Sequence, residues 1–395
     1  MTLHFAPITD RLKDSGGAKW AVHERSRQMR REGADIIELT IGEPDLPPDP
    51  ALIEVAARAM RSGRTGYSSG RGEPALLDAL ARRYARRRTG VTAENVLCFP
   101  GTQSALFATM MGLTGPGDGV LVGDPFYATY EGIIRASGAH AVPVPLRPEN
   151  GFRIRVADIA AALTPECRVL LLNSPQNPSG AVLDRATVRE IGALCAERNL
   201  WLVCDEVYED LVYDGPFASP FEIEEIADRV VALSSISKSC AAPGFRSGWA
   251  VGSEEFCRRI LPISEAMLFG NQPFIADMTA YALDHPPDTA ACLRRDYRRR
   301  SEALAQRLAK IPGLRPYLPE SGMFLLADVS GTGLDGDGFA WRLLKAGVAV
   351  MPGSSFGDQA RDLIRLSLTV ADDMLATAAE RIAAFTETLA CPHSL

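Results

Sequence analysis

Short apolar runs rich in β-branched residues alternate with polar, helix-like stretches through the middle of the chain. They occupy residues 96–99, 120–123, 141–144, 169–172, 201–204 and 230–233. The run at 169–172 is apolar at every position rather than at every second one, which is typical of a strand that is buried on both faces. The pattern predicts an α/β fold whose sheet is mostly parallel and is flanked by helices.

The pattern of polar and apolar residues changes after about residue 290. An arginine-rich helical stretch is followed by spaced apolar runs, at 293–310, 323–327, 348–350 and 364–368. Near the N-terminus a helical segment around 19–32 and an apolar run at 36–39 are expected to pack against this C-terminal part. The sequence therefore predicts a large domain over 46–290 and a smaller α+β domain built from 1–45 and 291–395.

Composition narrows the class of protein. The 395 residues are 46% hydrophobic and 23% charged, as in an ordinary folded protein. A formal net charge of −7 gives nucleic acid no attractive field, and the arginines at 82–83 and 86–88 are expected on a solvated helix face. No membrane span and no export signal is expected. Eight cysteines without metal-ligand spacing predict free thiols in a reducing cytoplasm, and no metal site.

One lysine stands apart from the other four. Lys238 lies in a Ser-Ser-Ile-Ser-Lys-Ser segment directly after the apolar run 230–233. Open α/β sheets bind ligands beyond the carboxyl ends of their strands, so this lysine is placed where a ligand would be. Among small hydroxyl residues, an amine whose charge is discouraged can condense with a carbonyl cofactor.

Pyridoxal 5'-phosphate is such a cofactor, and it needs a carboxylate to keep its ring nitrogen protonated. Asp205 follows the run 201–204 and is the candidate. Tyr208 could hydrogen-bond the ring oxygen. The alternative interpretation makes Asp205 a helix cap and Tyr208 a core residue.

The phosphate group needs backbone N–H groups and a cation. After the run 96–99 the chain offers a glycine turn and a helix start, formed by Gly101, Thr102 and Gln103. Ser235 and Arg246 could supply further contacts to the phosphate. Taken alone, the turn could equally be a plain helix cap.

These segments together resemble the fold-type-I aminotransferases of class I/II, the aspartate aminotransferase superfamily. Ile41–Asp45 is similar to their substrate loop, Asn173–Gly180 to their Asn-Pro-x-Gly turn, and Ser235–Arg246 to their lysine and phosphate motif. The similarity covers nearly the whole chain. It implies a seven-stranded, mostly parallel sheet in the large domain, and transfer of an α-amino group from an amino acid to a 2-oxo acid.

The resemblance also implies roles for single residues. Lys238 would bind the cofactor and relay the proton, with Asp205 on the ring nitrogen. Tyr127 would stack on the ring, although one aromatic residue after a strand could also be packing. Asn177 and Tyr208 would contact the ring oxygen. Gly42 and Asn177 would contact the substrate, and Arg365 would bind its α-carboxylate. Tyr67 would reach the phosphate of the neighbouring subunit's cofactor. A homodimer is therefore expected.

The amino donor is less well defined. Gln103 occupies the position where relatives that prefer aspartate commonly carry a lysine, which lowers the expectation of an acidic substrate. Several stretches are most similar to arginine:pyruvate transaminases within the family, so the expected donor is arginine, with pyruvate as acceptor, or another neutral or aromatic amino acid. Trp20 and Asn271 are further candidates for the pocket wall.

The sequence leaves alternatives to a transaminase. A pyridoxal-phosphate β-lyase or synthase on the same fold stays open, because the bond that breaks depends on substrate orientation. Ser235–Lys238 also satisfies the S-x-x-K pattern of a serine hydrolase, but the S-D-N and K-T-G partners are absent. Gly115–Gly119 precedes a strand rather than a helix, which argues against a dinucleotide-binding oxidoreductase. A non-catalytic ligand-binding module is the last alternative.

Overall fold

The computed structural model describes residues 3–13 and 17–390 of the chain. The strands are β1 (Ile37–Leu39), β2 (Val96–Phe99), β3 (Gly119–Asp124), β4 (His140–Pro145), β5 (Cys167–Asn173), β6 (Trp201–Asp205), β7 (Val230–Ser235), β8 (Gly248–Val251), β9 (Arg315–Tyr317), β10 (Phe324–Asp328), β11 (Val348–Pro352) and β12 (Leu363–Ser367). The α-helices are α1 (Pro7–Leu12), α2 (Ala21–Arg31), α3 (Pro50–Arg61), α4 (Pro74–Ala85), α5 (Thr102–Leu113), α6 (Tyr130–Ala136), α7 (Val156–Ala162), α8 (Arg185–Glu197), α9 (Ile236–Ser239), α10 (Glu254–Met267), α11 (Pro273–Asp284), α12 (Thr289–Leu308), α13 (Gly336–Lys345) and α14 (Asp372–Ala390).

The larger sheet has seven strands in the order β2-β8-β7-β6-β5-β3-β4. Its neighbouring strands are parallel except at β8, which runs antiparallel to both β2 and β7. Along β5, Val169 and Leu171 pack into one hydrophobic cluster, while Leu170 and Leu172 pack into another. Because successive side chains of a strand point to opposite faces, both faces of the sheet are buried. The predicted α/β class with a mostly parallel seven-stranded sheet is confirmed.

A second sheet contains five strands in the order β1-β11-β12-β10-β9. Its strand β1 is parallel to β11, with Ile37 opposite Val348, so the N-terminal segment joins the C-terminal part of the chain. A separate hydrophobic core that includes Phe339 and Ile364 surrounds this sheet. The two domains with boundaries near 45 and 290 stay a prediction.

The parallel strands of the larger sheet end in polar residues at one edge. Asp124 ends β3, Asn173 ends β5, Asp205 ends β6 and Ser235 ends β7. Asn173 lies directly opposite Asp205 in the register of the sheet. The fold therefore gathers polar side chains where parallel sheets bind ligands.

The expectation that the arginines at 82–83 and 86–88 lie on a solvated helix face is wrong for Arg83, in α4, and for Arg87, which follows that helix. Arg83 donates to Glu209 at 3.0 Å and Arg87 donates to the fully buried Glu206 at 3.2 Å. Arg87 also pairs with Glu209. These arginines point inward because the buried carboxylates of Glu206 and Glu209, which follow β6 in the chain, need cationic partners.

The described residues contain free cysteines, and they contain neither a membrane-spanning helix nor a cluster of metal ligands. All seven cysteines within them are free, and Cys391 lies outside the described residues. No helix in this part of the chain is long and apolar enough to cross a membrane. No group of three or more potential metal ligands is found among these residues.

Candidate active site

A cavity of about 460 Å³ lies at the edge of the larger sheet where the parallel strands end, and residues of both sheets line it. Twelve of the residues singled out from the sequence line this cavity: Trp20, Gly42, Thr102, Gln103, Tyr127, Asn177, Asp205, Tyr208, Ser235, Lys238, Arg246 and Arg365. The volume is typical of a site for a small molecule or cofactor.

Lys238 projects into the cavity from a single helical turn. Strand β7 ends at Ser235, whose hydroxyl accepts the Ser237 N–H and starts α9. The Lys238 Nζ donates to the carbonyl oxygen of Gly42 at 2.6 Å. Removal from bulk water, assisted by nearby Arg365, lowers the pKa of Lys238 to about 8. An appreciable fraction of the amine is therefore neutral, as a nucleophile requires.

Asp205 is the buried carboxylate of the cavity. It accepts hydrogen bonds from the Tyr130 hydroxyl at 2.7 Å and from the Val207 N–H at 3.2 Å. Burial raises the pKa of Asp205 to about 6, and the hydrogen bond from Tyr130 opposes this rise. The carboxylate remains mostly ionised at neutral pH, so it can balance a cationic nitrogen of a bound ring.

Arg365 stacks on two aromatic rings. Its guanidinium carbon is 3.8 Å from the Phe324 ring centre and 4.5 Å from that of Phe356. Its Nη1 donates to Asn177 Oδ1 at 3.0 Å and its Nη2 to the Thr40 carbonyl at 2.6 Å.

The charge of Arg365 has no counterpart among the described residues. No carboxylate in residues 3–13 or 17–390 forms an ion pair with it, and its Nε atom has no hydrogen-bond partner there. Burial lowers the pKa of Arg365 to about 10, which still leaves it charged at neutral pH. A buried cation with an unused donor is suited to a carboxylate ligand.

The turn before α5 is suited to a phosphate. Gly101 adopts a φ of +91°, and a Cβ there would lie 2.2 Å from the Arg246 guanidinium. The Thr102 hydroxyl is buried without a partner among the described residues, at the N-terminus of a 12-residue helix. Arg246 donates to the carbonyls of Pro243 and Pro100 at 2.9 and 3.2 Å. Helix N–H groups, an unsatisfied hydroxyl and a cation together fit a phosphate ester.

Two aromatic candidates have different surroundings. Tyr127 lines the cavity and packs edge-to-face on Tyr130, with ring centres 5.6 Å apart. Tyr67 is 88% exposed, packs on Phe269 and does not line the cavity of this chain. The structure therefore separates Tyr67 from the rest of the predicted set.

Of the remaining candidates, some line the cavity and others do not. Trp20 and Gln103 both line the cavity, whereas Asn271 is buried outside it with no partner in the described residues for either polar side-chain atom. Gly101 adjoins the cavity without lining it. The Asn177 amide is 3.5 Å from the Tyr208 hydroxyl, so these two predicted partners of a ring oxygen do lie together.

Sequence reasoning missed several residues of the site. Tyr130 holds Asp205, yet a tyrosine on an apolar helix gives no signal distinct from core packing. Asn173 joins two elements, since its amide donates to the Asp205 carbonyl at 3.0 Å and its oxygen accepts the Asn177 N–H at 2.7 Å. Glu43 also lines the cavity, and its position inside the segment Ile41–Asp45 was the one available signal.

Comparisons with known proteins agree with this geometry. The family model for aminotransferase class I and II matches residues 34–382. The arginine–pyruvate transaminase AruH of Pseudomonas aeruginosa is 41% identical over 384 residues, covering 96% of this chain and 98% of the relative. The aspartate aminotransferase of Musicola paradisiaca is 33% identical over 382 residues, with coverage of 95% and 96%.

A solved structure matches almost the whole of this chain. The aspartate aminotransferase of Thermus thermophilus with maleate has a TM-score of 0.92 and 31% identity, covering 97% of this chain and 100% of that one. The fold-type-I resemblance drawn from the sequence is thereby confirmed, as is the expected transfer of amino groups between amino acids and 2-oxo acids. This chain belongs to the class I and II aminotransferases, which are enzymes that depend on pyridoxal 5'-phosphate.

Proposed function

We propose that this aminotransferase takes its amino group from arginine and passes it to pyruvate. The observation that carries the proposal is the charge of the cavity wall. Its cations in the described residues are Lys238, Arg246 and Arg365, and each is assigned below to the cofactor or to the α-carboxylate. No cation is left for a distal carboxylate of the donor.

The acidic side of the cavity favours a cationic donor. Glu43 lines the cavity, and no described residue forms a salt bridge or hydrogen bond with its carboxylate. Gln103 is neutral where relatives that prefer aspartate commonly carry lysine. The similarity to the Pseudomonas aeruginosa relative, whose name specifies arginine and pyruvate, supports the same choice.

The proposed roles of the site residues follow from their contacts. Pyridoxal 5'-phosphate supplies an aldehyde for the amine and a cationic ring that withdraws electrons from the substrate Cα. Lys238 Nζ removes the proton from the substrate Cα as a base and returns a proton as an acid. Asp205 keeps the ring nitrogen protonated, and Asn177 with Tyr208 orients the ring oxygen. Arg365 grips the α-carboxylate beside Gly42.

The other cofactor contacts are proposed on the same grounds. Tyr127 stacks on the ring, while the turn Gly101–Gln103, together with Ser235 and Arg246, holds the phosphate. The donor leaves as a 2-oxo acid before the acceptor binds, which predicts ping-pong kinetics.

We also propose a homodimer in which Tyr67 reaches the phosphate of the partner's cofactor. Tyr67 and Phe269 are 88% and 68% exposed and pack against each other, forming an aromatic pair on the surface. Large exposed aromatic side chains are typical of interaction surfaces. We propose a cytoplasmic location on the basis of the seven free cysteines.

The donor assignment is tested by comparing kcat/KM for arginine, alanine and aspartate with pyruvate as acceptor. Arginine should be preferred in the unmodified enzyme. Gln103→Lys should raise kcat/KM for aspartate about tenfold relative to arginine, whereas the neutral control Gln103→Met should not. Glu43→Gln should lower kcat/KM for arginine several-fold and leave alanine unchanged. A preference of the unmodified enzyme for aspartate would contradict the proposal.

A further inference from the structure

A loop of the smaller sheet is tied to the end of a strand in the larger one. The loop connects β11 to β12 and consists of two short turns, Gly353–Phe356 and Asp358–Ala360. Its partner is Asp124, the last residue of β3. The backbone N–H groups of Asp358 and Gln359 donate to the two carboxylate oxygens of Asp124, at 3.1 and 3.2 Å.

The fit around Asp124 is close. Its side chain is only 5% exposed, and no described cation forms an ion pair with it. Gly357 has a φ of +135°, and a Cβ there would lie 2.0 Å from Asp124 Oδ1. A glycine is therefore required for the loop to pass this close to the carboxylate. A further bond from the Phe126 N–H to the Phe356 carbonyl, at 2.7 Å, fastens the same loop.

The anchored loop carries one of the two rings on which Arg365 stacks. Phe356 is fully buried, and its ring centre is 4.5 Å from the guanidinium carbon, while the ring centre of Phe324 is 3.8 Å from the same carbon. Phe324 lies within a strand, where the sheet fixes its backbone. Phe356 lies instead on the loop, which is held by its hydrogen bonds with Asp124 and Phe126 and by a bond from the Ser355 hydroxyl to the Lys19 carbonyl at 2.8 Å.

We infer that Asp124 is a positioning residue for substrate binding: by holding the loop it keeps Phe356 stacked on Arg365 and so fixes the guanidinium toward the α-carboxylate. Asp124 itself does not line the cavity, so it acts through Phe356 rather than by touching the substrate. The inference rests on the proposed role of Arg365. It adds a residue that neither the motifs nor the cavity wall identifies.

Two substitutions loosen the anchor in different ways. Asp124→Asn keeps one acceptor oxygen but turns an amide NH₂ group toward a backbone N–H donor. Gly357→Ala keeps the carboxylate and displaces the loop by its added methyl group. Both should raise KM for the amino acid about tenfold, with a change in kcat of less than about threefold. Asp118→Asn, directly before the same strand, is the matched control.

The distinguishing measurement compares an amino acid with the amine that lacks its carboxylate. Half-reaction rates are measured on the holoenzyme with arginine and with agmatine, without acceptor. Asp124→Asn should slow the reaction of arginine and leave the slow reaction of agmatine unchanged, since the amine does not use Arg365. Equal losses for both compounds would overturn the inference, because they would indicate a general structural defect.

A binding measurement separates this inference from the proposal on which it rests. Propionate, a carboxylate without an amine, is titrated into the holoenzyme by calorimetry. Arg365→Met should weaken its binding most, and Asp124→Asn should weaken it about tenfold. An effect of Arg365→Met without one of Asp124→Asn would refute the role of Asp124 alone. Unchanged binding in Arg365→Met would refute the role of Arg365.

Discussion

Replacing Arg365 by glutamine is expected to make Lys238 harder to deprotonate. Removal from water, followed by the charge of Arg365, lowers the pKa of Lys238 from 10.5 to about 8. At pH 7 a pKa of 8 leaves about 10% of the amine neutral, against about 0.03% for a pKa of 10.5. The site therefore raises the reactive fraction about 300-fold, and loss of the nearby positive charge should lower it.

The assay is competitive acetylation of the cofactor-free enzyme between pH 6 and 10, with peptides quantified by mass spectrometry. The exposed Lys310 and Lys345 serve as references within the same chain. Labelling of Lys238 should rise with a midpoint near pH 8, and the midpoint should move upward in Arg365→Gln. Arg361→Gln removes an exposed arginine close to β12 and is the matched control, for which we expect no change.

Two results would refute this reasoning. If Lys238 in the unmodified enzyme is labelled with the same pH dependence as the exposed lysines, the cavity does not favour the neutral amine. If its midpoint is the same in Arg365→Gln as in the unmodified enzyme, Arg365 does not contribute to the shift. The two outcomes separate the effect of burial from the effect of charge.

Further predictions concern the ring partner, the phosphate turn and the buried ion pairs. Tyr130→Phe removes the hydrogen bond that favours the ionised aspartate beneath the cavity, so its pKa should rise and kcat should fall about tenfold, more at pH 6 than at pH 8 in steady-state assays. A methyl group at Gly248 would lie 2.6 Å from the backbone of the phosphate turn, so Gly248→Ala should weaken cofactor binding about tenfold by fluorescence titration, whereas Gly115→Ala, with its nearest atom at 3.8 Å, should not. Arg87→Met leaves two buried carboxylates without their main cation and should lower the free energy of unfolding by about 3 kcal/mol in urea titrations; for the exposed Arg86→Met we expect less than about 0.5 kcal/mol.

Much of the large sheet could be predicted because both of its faces are buried. Continuous apolar runs located six of its seven strands, and the polar residues after them located the edge with the cavity. Lys238 and Asp205 were identified because each follows such a run directly. Arg365 was identified through the family resemblance, since an arginine within an apolar strand gives no signal of its own.

The elements that sequence reasoning missed have physical causes. Strand β8 begins at Gly248 and has four residues, while β9 contains Pro316 and lies at the edge of its sheet, so neither gives a clear apolar pattern. Arg83 and Arg87 were expected in solvent because their carboxylate partners lie more than 110 residues away in sequence. Contacts between distant segments, such as the loop on Asp124, leave no local pattern.

We propose that Lys238 supports the transfer of an amino group to the bound cofactor. This role is tested most directly by mixing the purified holoenzyme with arginine in the absence of any acceptor and measuring the 2-oxo acid formed. We expect about one equivalent per active site and then no further product until pyruvate is added, with none formed by Lys238→Ala. Continuous product formation without an acceptor, or near-normal turnover by Lys238→Ala, would contradict it.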